Sequence, residues 1–174
     1  GQSDVWAADQ TPFADITLRD VLERTSRKID GRFPTQPTLE ASVRLVVGKA
    51  LFQVAKPVEA ERQLRQAYEI YARELGRAHP DTLEVQGELG RLLSYGELGT
   101  RHREGVDMLR AAYAGLRQAP EANAEVLIDI MATLGSEYHR AGNSASADTV
   151  IAEAVALSEQ HLPTNHWVRT KARW

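Results

Sequence analysis

The chain has 174 residues, of which 43% are hydrophobic, and this size and apolar content suit a single globular domain with a sizeable core. It carries 21 basic and 24 acidic residues, and the formal net charge of -3 gives no global field that would favour nucleic acid or an anionic membrane. The absence of cysteine excludes disulfides, thiol nucleophiles and Cys-based zinc sites.

The start of the chain predicts a piece of a larger protein. It begins at Gly1 without Met or a charged, apolar leader, so we expect a processed or excised fragment. Residues 1–14 are predicted to be an N-terminal extension or linker, and residues 15–174 a helical repeat domain. The longest apolar stretch, 43–55, is interrupted by polar residues and is too short to cross a membrane.

The first predicted helix follows Thr17, which with Asp20 forms a capping sequence. The proline-containing segment 33–37 ends that helix and predicts a tight turn. The apolar residues of this helix recur at the spacing of a one-sided helix: Leu18, Val21, Leu22, Ile29 and Phe33.

A second helix is predicted over 38–54, with apolar residues on more than one side, as expected of a helix between neighbours. Pro57 ends it, and a third helix begins near Val58 and stops at Gly76, which favours a left-handed C-terminal turn. No segment has the alternating pattern of a strand. The sequence therefore predicts an all-α fold.

Two sets of small residues reveal an internal repeat. Glycines in the middle of successive predicted helices are 42 and 45 residues apart, and the longer spacing is explained by an insertion in the turn of the second unit, 95–102. Small residues let paired helices approach closely, so we expect the two sets to meet. The sets are Gly48, Gly90 and Gly135, and Ala60, Gly105 and Ala147.

This pattern, with the segment Leu-Gly-Arg-Ala-His-Pro-Asp-Thr-Leu at 75–83, resembles the tetratricopeptide repeat and its kinesin-light-chain-like variety in particular. The resemblance covers roughly residues 17–174. It implies an all-α, right-handed superhelical solenoid of antiparallel helix pairs, with a leading helix, three pairs and a truncated last helix beginning at 165–167.

The resemblance also implies a concave groove lined by the first helix of each pair. The asparagines common in the family just before the small residue are replaced here, at 45–46, 87–88 and 132–133, so an extended-peptide clamp is not expected. The face instead runs from apolar to mixed charge, which favours a folded partner or an amphipathic segment. The predicted groove residues are Ser42, Leu45, Lys49, Phe52, Glu84, Glu88, Arg91, Tyr95, Asp129, Ser136, His139 and Arg140.

Catalytic and metal-binding motifs are missing from the sequence. The histidines form no i, i+4 pair and no HExxH, and there is no GxSxG, phosphate-loop or dinucleotide fingerprint. We interpret His79-Pro80-Asp81 as a helix start capped by Asp81 or Thr82, and the basic run 101–103 as a solvated loop. The prediction is a protein without enzymatic activity, cofactor or metal.

The arrangement of a leading helix, 17–22, before the repeats and a late His166-Trp167 unit resembles regions that follow the membrane segment of bacterial serine/threonine kinases and one-component transcription regulators. We therefore expect a scaffold or sensory domain in bacterial signal transduction or transcription regulation, extracytoplasmic rather than cytoplasmic. It would bind a protein or peptide and no nucleic acid directly. The uncapped C-terminal end, with Trp167, Val168 and Trp174, suggests a homodimer.

An alternative function is a helical sensor of small molecules that switches between packing states. In this hypothesis the ligand lies between helices near Tyr95, Tyr138 and His139 and shifts the packing of neighbouring units.

Overall fold

The computed structural model describes residues 17–95, 101–119 and 122–167. Within these ranges the chain forms α-helices and no strand, which confirms the all-α prediction. None of these helices has the length and apolar character needed to span a membrane. The helices are α1 (Leu18–Lys28), α2 (Pro37–Gln53), α3 (Pro57–Glu74), α4 (Pro80–Tyr95), α5 (His102–Leu116), α6 (Ala124–Arg140) and α7 (Ser144–His161).

Local sequence explains where most helices begin. Proline, whose missing N–H costs nothing in the first turn, is the first residue of α2, α3 and α4. At α1 the Thr17 hydroxyl accepts the Asp20 N–H at 3.2 Å, and the Asp20 carboxylate accepts the Thr17 N–H at 3.0 Å. This reciprocal capping box is the one predicted. Asn123 and Asn143 cap α6 and α7 through their side chains.

The start of α4 differs in one detail from the prediction. The His79-Pro80-Asp81 segment is structural, as expected, but the ring of His79 provides the cap: its Nδ1 accepts the Asp81 N–H at 3.2 Å. The Thr82 hydroxyl instead donates to the Gly76 carbonyl at 2.8 Å. His79 fits this position because its ring reaches forward two residues to a free amide at the helix N-terminus.

The helices pack as a leading helix and three hairpins, α2 with α3, α4 with α5 and α6 with α7. The two sets of small residues meet inside each hairpin, as predicted, and this close approach is why they recur. A Cβ built on the first glycine of each pair would lie close to the carbonyl oxygen of the second small residue: 3.4 Å for Gly48 and Ala60, 2.8 Å for Gly90 and Gly105, and 3.8 Å for Gly135 and Ala147.

The first and third hairpins turn in the same way. Each has a three-residue turn whose middle residue is left-handed, Ala55 at φ 58° and Gly142 at φ 74°. In each, the N–H after that residue donates back across the turn, from Lys56 to Leu51 and from Asn143 to Tyr138, at 2.9 Å. The second hairpin joins α4 to α5 through residues 96–101, three residues longer. The insertion therefore lies in the turn, as predicted.

A buried arginine fastens the leading helix to the first hairpin. The Arg44 side chain is almost fully buried and donates to Asp30 and Glu40 at 2.6 Å and to Gln63 at 2.8 Å. Gln63, itself fully buried, donates to the Ser26 hydroxyl at 2.9 Å. Two short runs of α1 and its exit are thereby held to α2 and α3 by charge-assisted hydrogen bonds.

Large apolar side chains are exposed at both ends of the stack. Trp167, which the sequence placed at an uncapped end, is 59% exposed, while Val168 and Trp174 lie outside the described residues. The opposite end exposes more apolar surface, with Leu18 at 65% on α1 and Val46 at 66% on α2. Self-association through the C-terminal end stays a prediction.

Candidate binding groove

The first helices of the three hairpins, α2, α4 and α6, line one cavity of about 360 Å³. This volume is within the range of ligand-binding pockets in proteins. The cavity is open on the side away from the hairpin partners, and residues from three successive repeats therefore face one space. Its lining residues are Lys49, Gln53, Glu84, Glu88, Arg91, Asn123, Glu125, Val126, Asp129, Ile130 and Trp167.

The structure brings together five of the predicted groove residues, one or more from each hairpin. Lys49 comes from α2, Glu84, Glu88 and Arg91 from α4, and Asp129 from α6. They share a cavity because the repeat places the same helical face of each first helix toward the same side.

The other predicted groove residues lie elsewhere. Leu45 is 8% exposed and packs in the core, because α2 is covered on that side by its neighbours. The Ser42 hydroxyl donates to the Leu39 carbonyl at 2.9 Å on its own helix. The side chain of Tyr95 lies outside the described residues. Ser136, His139 and Arg140 are exposed but two turns or more beyond Asp129 along α6, past the cavity.

Sequence reasoning missed six lining residues. Gln53 follows Lys49 by four residues, and Glu125 and Val126 precede Asp129 by four and three, so helical spacing from a correctly placed residue would have found them. Asn123 and Ile130 flank the same stretch of α6. Trp167 belongs to the following repeat, and no spacing rule within a helix reaches it.

An ion network fixes the wall between α2 and α4. The Lys49 Nζ lies 3.1 Å from Glu88 Oε1 and 3.5 Å from Glu84 Oε1. Arg91 Nη2 donates to Glu88 Oε2 at 2.5 Å, and its guanidinium lies over the ring of Phe52 at 4.9 Å. Phe52 is thus covered by Arg91 and does not line the cavity. Glu88 is the shared acceptor that holds both cations in place.

The two carboxylates of α4 are shifted in opposite directions although they are one turn apart. Burial acts to raise the pKa of Glu88, but Arg91 and Lys49 together hold that pKa below its usual value. Burial raises the pKa of Glu84, and the charge of Glu88 adds to this against the pull of Lys49. Burial opposes the charge of Lys49, but Glu88 and Glu84 raise its pKa. Glu84 is therefore the poorly compensated carboxylate of the network.

The cavity as a whole is acidic. Lys49 and Arg91 are its basic lining residues, while α4 and α6 contribute four carboxylates, which gives the lining a formal charge of -2. His166 Nε2 lies 3.7 Å from one of these carboxylates, Glu125, at the rim near Trp167.

The basic run 101–103 is not a solvated loop. Arg101 forms ion pairs with Glu61 of α3 and, at 2.7 Å, with Glu104 of α5, and Arg65 binds the same two carboxylates. The interpretation from sequence was wrong because Glu61 is distant in the chain and its approach depends on the packing of α3 beside α5. The acidic partners leave Arg101 engaged rather than open to phosphate.

The residues proposed for a small-molecule site do not converge on the cavity. Tyr138 packs against the cores of the second and third hairpins, with the Arg110 guanidinium 5.3 Å from its ring centre. His139 is exposed on another side of α6. Across residues 17–95, 101–119 and 122–167, no three His, Cys, Asp or Glu side chains form a group that could hold a metal ion.

Comparison with known proteins agrees with the paired-helix architecture. A sequence model of the tetratricopeptide repeat matches residues 41–81, which hold most of α2, all of α3 and the start of α4. A crystal structure of a Podosopora anserina protein assigned as a kinesin light chain with nearly identical TPR-like repeats superposes with a TM-score of 0.58. The fold is that of tetratricopeptide-like repeats.

The tetratricopeptide-like fold extends over most of the chain. The alignment with the Podosopora anserina protein covers 89% of this chain and 72% of that one at 21% sequence identity. A single-substitution variant of the same protein gives a TM-score of 0.60 with the same identity and coverage. The curated proteins include no match to the chain. The likeness to kinesin-light-chain-like repeats read from the sequence is thus confirmed for the fold.

Proposed function

We propose that this tetratricopeptide-like domain is a non-catalytic interaction module that binds a protein or peptide partner in the groove formed by α2, α4 and α6. The fold itself is a protein-interaction scaffold. The observation that carries the proposal is the shared cavity, in which three successive repeats present polar and charged side chains to one ligand-sized space. A segment laid there would contact all three hairpins at once.

The ion network supports this assignment because it preorganises the groove wall. Lys49 and Arg91 are held by Glu88 before any partner arrives, so little side-chain freedom is lost on binding. Val126 and Ile130 of α6 add apolar surface beside these charges. Polar groups that fix orientation next to apolar area are typical of recognition sites.

The groove assignment is tested with a steric block and a matched control. Gln53 is an exposed lining residue of the cavity, and Gln160 is an exposed residue of α7 away from it. Peptide ligands are selected from a random library displayed on phage, and their affinities for the unchanged domain, Gln53→Trp and Gln160→Trp are measured by fluorescence anisotropy.

We expect Gln53→Trp to weaken the selected peptides at least tenfold and Gln160→Trp to leave their affinity unchanged. Equal affinity for all three proteins would place binding outside the groove and overturn the proposal. A selection that yields no ligand sensitive to Gln53→Trp would have the same consequence.

The cellular context we propose is a bacterial signalling or transcription-regulatory protein, with this domain on the extracytoplasmic side. The resemblance of the leading helix 17–22 and the His166-Trp167 unit to such regulators supports this. The test is the full sequence of the parent protein and a topology reporter fused to it. A membrane span with a kinase or DNA-binding domain on its other side is the expected result, and a cytoplasmic reporter signal would contradict it.

A small-molecule ligand is a second candidate function, since a cavity of about 360 Å³ is large enough for one. A thermal-shift screen against a metabolite panel distinguishes the two functions. A ligand that stabilises the unchanged domain but not Gln53→Trp would favour sensing, and a flat panel would count against it.

A further inference from the structure

We infer that the groove receives a basic side chain of the partner, an arginine by preference, seated between the carboxylates of α4 and α6 and against the ring of Trp167. This inference rests on the proposed function and names the chemistry of the ligand. It identifies the partner segment as cationic, whereas the sequence predicted only mixed charge along the groove.

The charge of the lining carries the argument. On the α4 side Lys49 and Arg91 are already committed to Glu88, which accepts from both. On the α6 side Glu125 and Asp129 add two carboxylates to the same cavity, and neither Lys nor Arg lines it there. A guanidinium or ammonium entering the cavity would bring the formal charge of the lining closer to neutral.

The state of Glu84 agrees with an excess of negative charge. Its pKa is raised by burial and by the nearby charges of Glu88 and Asp81, despite the opposing pull of Lys49. A cation placed beside Glu84 would favour the ionised form of this carboxylate. The binding of a basic side chain and the ionisation of Glu84 would therefore support each other.

Trp167 provides the aromatic surface for such a side chain. It lines the cavity, is 59% exposed and stacks on His166 with ring centres 6.2 Å apart. Arginine stacks on aromatic rings and binds carboxylates with the same planar group, which lysine cannot do. The domain already uses this pairing in its own packing, where Arg91 covers Phe52 and Arg117 covers Tyr113.

An acidic partner segment fits the cavity poorly. A carboxylate entering it would face the four carboxylates of the lining, and it could reach Lys49 or Arg91 only by competing with Glu88. Discrimination between basic and acidic ligands should therefore be strong, because repulsion adds to the loss of attraction.

The test uses nine-residue peptide libraries, labelled with fluorescein, in which the fifth residue is fixed as Arg, Lys, norleucine or Glu and the rest are randomised. We expect the Arg library to bind tightest, the Glu library at least tenfold weaker than the Arg library, and the Arg affinity to fall as NaCl is raised from 50 to 500 mM. The full 174-residue domain is used throughout.

Two charge-reversal variants locate the effect. Glu125 is a partly exposed lining residue and Asp148 is an exposed residue of α7 outside the cavity. Glu125→Lys should reduce the preference for the Arg over the Glu library at least tenfold, whereas Asp148→Lys should leave it unchanged. Circular dichroism shows that each variant is folded, and Glu125→Gln, which removes charge without adding a cation, should fall between.

The outcomes separate this inference from the proposed function. If peptides bind and Gln53→Trp blocks them, but the norleucine library binds as well as the Arg library, the groove stands and its cationic preference is overturned. If the Arg preference persists in both Glu125→Lys and Gln53→Trp, the basic side chain binds elsewhere and the inference is equally overturned.

Discussion

The backbone of Gly90 lies directly against that of Gly105. A Cβ on Gly90 would stand 2.8 Å from the Gly105 carbonyl oxygen, and a Cβ on Gly105 would stand 2.7 Å from the Gly90 carbonyl oxygen. Each glycine therefore excludes a side chain at the other, and α4 and α5 form the closest of the three hairpins. In the first hairpin the equivalent Gly48 meets the side chain of Leu64 instead.

Gly90→Ala and Gly105→Ala should each destabilise the domain by about 2 kcal/mol or more, although alanine favours helix by about 1 kcal/mol. The backbone cannot yield without moving one helix away from the other. Gly48→Ala should cost less, because Leu64 can shift its side chain. Urea unfolding followed by circular dichroism measures all three, and a Gly90→Ala variant as stable as the unchanged domain would contradict the packing argument.

Glu88 and Glu84 should respond to pH in opposite ways. Because the pKa of Glu88 is lower in the folded state than its usual value, this residue stabilises the fold at neutral pH, and that stabilisation is lost as the pH falls through the folded pKa. Glu88→Gln should therefore cost about 1–3 kcal/mol at pH 7 and progressively less in acid.

The pKa of Glu84 is raised, so its contribution is favourable only when it is protonated and is lost as the pH rises through the folded pKa. Glu84→Gln should leave the free energy of unfolding at pH 7 unchanged or raise it by less than about 1 kcal/mol. Urea titrations from pH 4 to pH 8 measure both variants. Equal losses at pH 7 for the two substitutions would show that the carboxylates are not distinguished as described.

The left-handed turn residues make a matched pair. Ala55 and Gly142 occupy the same position in the turns of the first and third hairpins, but only glycine adopts positive φ without steric cost. Ala55→Gly should be neutral or stabilise by up to about 1 kcal/mol, and Gly142→Ala should destabilise by about 1 kcal/mol. Thermal unfolding of the two variants checks this, and opposite signs to those given would refute it.

Arg44→Lys should cost about 2–4 kcal/mol although it keeps the charge. One ammonium cannot reproduce the fan of hydrogen bonds to Asp30, Glu40 and Gln63, and the buried Gln63 would lose a donor. The control is Arg27→Lys on the exposed face of α1, which should change stability little. Hydrogen exchange of α1 amides should quicken in Arg44→Lys only. Unchanged protection of α1 would show that Arg44 does not fasten it.

Much of this architecture could be read from local sequence. The capping box at Thr17, the left-handed Gly76 and the all-α class follow from short-range rules and are present as predicted. The recurrence of Gly48, Gly90 and Gly135 identified the repeat, because a glycine conserved in register inside a helix needs a packing reason. The position of the three-residue insertion followed from the same register.

The groove was only partly readable. The repeat register placed Lys49, Glu88 and Asp129 on one face, and they do line one cavity. It also placed Leu45 there, which is buried, because helical spacing gives the direction of a side chain but not which neighbouring helix covers it.

The sequence by itself determined the helices, their pairing and the period, since these depend on residues close together in the chain. Only the tertiary structure decided which charges meet. Glu88 takes both Lys49 and Arg91, Arg101 is drawn to Glu61 on another repeat, and Trp167 closes a cavity begun by α2. The physical reason is that electrostatic compensation depends on distance in space and on burial, and both are set by how successive hairpins stack rather than by spacing along the chain.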